Sequence, residues 1–161
     1  MADLENTLYL DAPNGRVTIE LRPDLAPNHV ARIKELTRTG FYDGLKFHRV
    51  IEGFMAQTGD PRGDGTGGSG KKLKAEFNSA NFLRGTVGMA RANDPDSGDS
   101  QFFICFEPAP FLDGKYTIWG QVTSGMEAID AVKRGQGQSG MVTNPDQIVR
   151  MQVAADADKA S

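Results

Sequence analysis

The sequence predicts a mainly β protein, an antiparallel barrel or sandwich that carries two helices. Three observations predict it. Short apolar runs of strand length recur along the chain, about eight in all. Nineteen glycines fall mostly between those runs, as tight turns between short strands require. Only two stretches have a helical period, so most strands are joined by turns, which argues against a parallel sheet with crossover helices.

Taken in order, "TLYLD" and "GRVTIEL" are alternating runs separated by "APNG", and Asn14-Gly15 is a hairpin signal. "PNHVARIKELTRTG" reads as a helix. Pro27 suits its first position, Val30, Ile33 and Leu36 share one face, and Gly40 suits its end. His29 is read as a surface or boundary residue of that helix. In "FYDGLKFHRVIEGFMAQTGD" the apolar runs break at Asp43-Gly44 and Glu52-Gly53, as strands and turns do. Residues 59–72 are glycine-rich without a hydrophobic period and read as a long loop. "GTVGMA", "SQFFICF" and "YTIWGQV" read as strands. "SGMEAIDAVKRG" reads as a short helix with Ser124 and Glu127 at capping-box spacing and Gly135 closing it. "DQIVRMQVA" is a last strand, and residues 155–161 read as a frayed tail.

A chain of 161 residues with no internal repeat and no linker fits one domain spanning 1–161, its core at about 7–153. Hydrophobic content of 39%, charged content of 24% and a net charge of −3 describe a soluble globular protein with no general affinity for nucleic acid or an anionic membrane. No run approaches the roughly 18 apolar residues of a membrane span. The segment "MADLENTLYL" lacks the basic and apolar regions of a secretory signal. The lone cysteine, Cys105, lies in an apolar run and reads as a buried small hydrophobe. A cytoplasmic monomer is expected.

The stretch "RGDGTGGSGKK" comes one residue short of a phosphate-cradling loop. Lys72 stands where a magnesium-binding hydroxyl is needed, and "AQTGDPRGD" before it is turn-rich rather than strand-like. Two histidines and one cysteine at unrelated spacings offer no metal site, and no nucleophile-elbow pattern is present. What remains is a mixture of aromatic residues and methionine with one arginine and glutamines. Phe102 and Phe103 cannot both face the inside of a strand. Arg49 within an apolar strand is costly to bury unless paired. An apolar surface pocket flanked by Arg49 and Gln57 accounts for both.

In these blocks the chain resembles the cyclophilins, the peptidyl-prolyl cis–trans isomerases. "FHRVIEGFMAQTGD" at 47–60, "GTGG" at 65–68, "SQFFI" at 100–104 and "LDGKYTIWGQV" at 112–122 stand in the family's order at near-family spacing, and the resemblance runs from about Thr7 to Val153. "MARANDPDSGDSQFFI" looks most like bacterial single-domain members. The resemblance implies a closed eight-stranded antiparallel β-barrel capped by two α-helices, with substrate on its outer face. It turns the glycine stretch into a loop beside the substrate groove, where backbone approaches a bound peptide closely.

The implied reaction is rotation about an X–Pro bond, whose barrier is about 18–20 kcal/mol. No bond breaks, so no cofactor or metal is expected. A ~10⁵-fold acceleration takes about 7 kcal/mol of differential transition-state binding. By resemblance Arg49 is the catalytic arginine, donating to the prolyl nitrogen as resonance is lost, and Gln57 holds Arg49 and the peptide backbone. Phe54, Met55, Phe103 and Leu112 would seat the proline ring, and Gln101 with the backbone of Ala90 and Arg91 would bind preceding residues. Three positions depart from well-known members: Arg91 stands for Asn, Phe111 for Trp and Tyr116 for His. Tyr116 keeps an aromatic wall, whereas Phe111 removes an indole donor and is expected to weaken cyclosporin binding. The segment before Gln101 is also one residue longer. The expected partners are proline-containing peptides and unfolded or folded proteins. A non-catalytic proline-binding module and, far behind, a nucleotide binder remain as alternatives.

Overall fold

The computed structural model describes residues 4–137 and 139–159. Eight strands form one antiparallel sheet: β1 (Thr7–Ala12), β2 (Gly15–Leu21), β3 (Arg49–Ile51), β4 (Met55–Thr58), β5 (Thr86–Met89), β6 (Phe102–Cys105), β7 (Ile118–Ser124) and β8 (Arg150–Val153). Their spatial order is β3-β4-β6-β5-β7-β2-β1-β8. Bulges between Thr18 and Ile19 and between Val87 and Gly88 increase the local twist and curl the sheet. Among the described residues no ladder joins the outer strands β3 and β8 to each other. Residues 140–149 run between them instead: Val50 donates to Gly140 O at 2.8 Å, Val142 to His48 O at 3.0 Å, Ile148 to Leu45 O at 2.8 Å and Val149 to Asp11 O at 2.7 Å. The architecture is an eight-stranded curled antiparallel sheet with helices packed on it.

Inside the curl, alternate residues of β1 and β2 (Leu8, Leu10, Val17, Ile19) are fully buried, as the two-residue period requires. Tyr42, Phe102 and Trp119 meet edge to face, with centroids 5.5 and 5.3 Å apart. Each such contact contributes about 0.5–1.5 kcal/mol beyond its buried area. Tyr42 also donates to Ser100 O at 2.9 Å, which ties this core to the start of β6.

Helix α1 (Pro27–Arg38) begins with its proline and buries Val30, Ile33 and Leu36. It ends as expected: Gly40 has φ 79°, its N–H meets Thr37 O, and Phe41 N–H reaches back to Leu36 O. His29 departs from expectation. It is buried, and its Nδ1 lies 2.6 Å from Glu76 Oε1. Glu76 also accepts from the backbone N–H groups of Asn28 and His29, so a carboxylate distant in sequence caps a helix whose own cap residue, Ala26, has no side-chain acceptor.

Three further boundaries differ from the sequence reading. The first hairpin turns on Pro13 and Asn14, with Ala12 opposite Gly15, because proline presets the backbone of the turn's first corner. Helix α2 spans only Met126–Asp130. Its cap is Gly125 at φ 80°, where a Cβ would lie 2.0 Å from Arg16 O, so the capping box of Ser124 and Glu127 does not form. Of the tail read at 155–161, residues 155–159 are corrected: with Ala154, read as the end of the last strand, they form a third helix, α3 (Ala154–Lys159), pinned by Arg38 Nε to Asp156 at 3.0 Å. Ala160 and Ser161 lie outside the described residues.

Candidate functional site

The strand register assembles the site. Arg49 on β3 pairs with Gln57 on β4, and Gln57 pairs with Phe103 on β6. Met55 lies two residues from Gln57 on the same face of β4, as the pleat dictates. These residues face away from the core of Leu8, Ile19 and Phe102. A second apolar cluster forms there, containing Met55, Phe82, Phe103, Cys105, Ala109, Leu112 and Ile118. Phe102 and Phe103 are both buried, but in opposite clusters.

Above this second cluster lies an open cavity of about 440 Å³. It is lined by Arg49, Phe54, Met55, Gln57, Ala90, Arg91, Phe103, Phe111, Leu112 and Tyr116, so ten of the eleven residues singled out in the sequence meet here. Lys115 also lines it and was not singled out, although it stands inside "LDGKYTIWGQV". Phe103 forms the floor, stacked on Phe82 at 5.7 Å and edge-on to Tyr116 at 5.8 Å. Phe54 and Phe111 form a wall with centroids 5.4 Å apart, and Phe111 is 61% exposed. Gln101, the eleventh residue, lines an adjoining cavity of about 310 Å³ that shares Gln57, Ala90 and Arg91 with the first.

A relay of polar groups connects the two cavities. Arg49 Nε donates to Ser139 O at 2.8 Å and Nη1 to Gln57 Oε1 at 3.3 Å. Gln57 Nε2 donates to Gln101 Oε1 at 2.9 Å. Gln101 Nε2 donates to Gly65 O and Gly67 O, each at 3.0 Å. The glycine loop thus orients Gln101, which orients Gln57, which fixes one edge of the guanidinium. Among the described residues Arg49 Nη2 donates to nothing. Arg91 is held differently: its guanidinium lies 4.5 Å from the Tyr116 ring centroid and donates to Lys115 O at 2.7 Å and Ala92 O at 2.9 Å.

Two carboxylates shape the loop itself. Asp60 accepts from the backbone N–H groups of Arg62 and Asp64 at 2.8 and 3.0 Å and from that of Gly65. Asp99 accepts from Ser69 and Gly70 at 2.7 and 3.1 Å. A Cβ on Gly67 would lie 2.1 Å from Asp60, and one on Gly68 2.5 Å from Asp99, so these glycines permit a close approach of carboxylate to backbone. Burial pushes the Asp60 pKa up, but the surrounding backbone donors outweigh it and hold the carboxyl below the ordinary aspartate range. No helix follows Gly70; the next regular element is β5 at Thr86, so the loop lacks the helix N-terminus that a phosphate site uses.

Beneath the loop His48 is buried, and neither ring nitrogen has a hydrogen-bond partner among the described residues. Burial lowers its pKa below 6.5, against the opposing charge of Asp60. His29 is likewise lowered by burial, against Glu76. A folded pKa below the unfolded value means that the unfolded chain takes up protons first as pH falls. The stability held by the neutral rings is therefore complete above 6.5 and declines below it. The expected result is a lower urea midpoint at pH of about 5.5 than at about 7.5, with NMR titration midpoints of both histidines below the ordinary value.

Comparison with known proteins agrees with this geometry. Residues 7–153 match the family model described as cyclophilin type peptidyl-prolyl cis-trans isomerase/CLD. A protein of Brucella suis biovar 1 named "Probable peptidyl-prolyl cis-trans isomerase" is 53% identical, over 96% of this chain and 86% of its own. A crystal structure of a cyclophilin from Hirschia baltica superposes with a TM-score of 0.87 at 30% identity, covering 96% of this chain and 76% of the other. A cyclophilin type peptidyl-prolyl cis-trans isomerase of Cryptosporidium parvum, crystallised in the presence of the dipeptide Ala-Pro, superposes with a TM-score of 0.84 at 28% identity, covering 91% and 98%.

Proposed function

The chain belongs to the cyclophilin-type peptidyl-prolyl cis–trans isomerase family, and from that premise we propose that the cavity under Arg49 binds proline and catalyses its isomerisation. The observation that carries this reading is a cation anchored on two sides at the rim of an apolar pocket, with Nη2 left to donate. As the X–Pro bond twists, the prolyl nitrogen loses resonance and regains a lone pair. A donor from Arg49 gains strength in that state and not in the planar one, which is the condition for catalysis. The proline ring sits on Phe103 between Phe54, Met55 and Leu112. Phe111 and Tyr116 wall it, and Gln57, Gln101 and the Ala90–Arg91 backbone align the flanking peptide. The planar amide is the more charge-separated form, so an apolar pocket disfavours it relative to water. We read the curled sheet as a closed barrel, its circuit completed by residues 140–149. In our reading the protein is a cytoplasmic monomer that assists the folding of proline-containing chains. The lone Cys105, buried and with its thiol pushed up to about 12, supports a chain made for a reducing compartment.

Exchange NMR on an Ala-Pro peptide tests the central claim. Accelerated cis–trans exchange is the expected outcome. Exchange left at its uncatalysed rate by a folded protein would favour a proline-binding module instead.

Cyclosporin is expected to bind weakly, because Phe111 has no N–H to offer at its exposed position. Phe111→Trp should tighten calorimetric affinity by roughly three- to tenfold, the effect of one added hydrogen bond. An unchanged affinity would remove this position as the determinant.

A further inference from the structure

Among the described residues, Arg49, Arg62, Arg91 and Arg150 form no ion pair with a carboxylate, and the groove brings two of these four, Arg49 and Arg91, to one cavity. Arg16, Arg22, Arg38, Arg84 and Arg134 each lie against a carboxylate, and Arg32 against Glu35. The two groove arginines do not. Arg49 is held by Ser139 O and the Gln57 side chain, and Arg91 by the carbonyls of Lys115, Ala92 and Asn93. Lys115 is a third cation at the same cavity, and no aspartate or glutamate lines it. In the adjoining cavity Lys72 is a fourth cation, and its one acid, Asp99, is engaged by the backbone of Ser69 and Gly70. In a chain of net charge −3, Arg49, Arg91, Lys115 and Lys72 thus stand at the two cavities without an ion pair to any carboxylate among the described residues, and Asp99 is the one acid beside them.

We propose that the groove selects X–Pro segments carrying an aspartate or glutamate beside the proline, with Arg91 and Lys115 as specificity-determining residues. The proposal rests on the isomerase reading above. Arg91 is suited to the part because its stacking on Tyr116 and its carbonyl partners fix the guanidinium while leaving its charge intact. A pre-positioned guanidinium binds a carboxylate with little further loss of side-chain freedom. Arg91 also lines both cavities, so one cation reaches residues on more than one side of the proline pocket. Concentrated charge of one sign in a cleft also raises the encounter rate with oppositely charged peptides.

Exchange NMR would be run on short peptides that differ only in Glu, Ala or Lys before the proline, and on a second set that varies the residue after it. In at least one set Glu should exceed Lys in kcat/KM by about fivefold at low ionic strength. That ratio should approach unity near 1 M salt, where the screening length is about 3 Å. In a double variant, Arg91→Asn with Lys115→Ala, the ratio of the two kcat/KM values should fall close to one at low salt, whatever the variant's absolute rates. Equal rates for Glu and Lys peptides in both sets, with the Ala peptide turned over, would overturn the preference and leave the isomerase standing. A preference that survives in the double variant would overturn the assignment to these two residues. No turnover of any peptide by folded protein would remove the isomerase reading itself.

Discussion

Arg49→Ala should lower kcat/KM for an Ala-Pro peptide by about 100-fold or more, corresponding to roughly 3 kcal/mol of lost transition-state stabilisation. The fold should survive. The guanidinium's main structural bond is to Ser139 O, an exposed residue whose carbonyl water can satisfy once the side chain is gone. Arg49→Lys should recover only part of the loss. A lysine carries the charge but not the planar fork that lets one group hold Ser139 O, meet Gln57 and still donate to substrate. Stopped-flow or exchange kinetics, read beside a urea melt of each variant, separate the two effects. If Arg49→Ala keeps most of the activity, the electrostatic account of this site is wrong.

Phe102→Ala and Phe103→Ala, one residue apart, should fail in opposite ways. Phe102 is fully buried against Tyr42 and Trp119 in the core, so its truncation leaves a closed void and should destabilise by about 3–5 kcal/mol. Activity per folded molecule should persist, because Phe102 points away from the groove. Phe103 forms the floor of an open cavity, where water can fill part of the vacated space, so its stability loss should be smaller. Its kcat/KM should fall at least tenfold, since the proline ring loses an apolar surface worth about 1.5–3 kcal/mol when buried. Denaturant midpoints and kcat/KM for the pair give the check, and two variants with the same profile would refute the two-cluster arrangement.

That contrast was legible in the sequence because the strand period is two: adjacent phenylalanines in a strand must part. The same local rules supplied the first helix, with Pro27, the stripe of Val30, Ile33 and Leu36, and Gly40. The strand count also agrees with the structure, and ten of the eleven expected site residues line one cavity, with Gln101 in the adjoining one. The features that could not be read depend on contacts between distant residues. Nothing local says that Glu76 will cap the helix that begins at Pro27 or bury His29 beside it. Gly125 displaced the capping box because Arg16 O comes too close for any side chain, a fact of the β2–α2 approach. The third helix, from Ala154 to Lys159, is too short to show a period, and its anchor is Arg38, far back along the chain. Lys115 escaped notice because a lysine in a turn reads as solvated until the cavity around it is seen.

Residues 140–149 have a bearing on what the edges of the sheet expose. A sheet that ends in bare strand edges is a template for any extended chain that drifts past, and an isomerase of prolyl bonds meets such chains. Here the outer edge of β3 is occupied by Gly140 and Gly135, and Asp43 takes the N–H of Met151 on β8. A peptide in the groove therefore meets side chains and the short Ala90–Arg91 backbone rather than an open strand edge at β3. The curled sheet thus offers little free strand edge at β3 for another chain to extend.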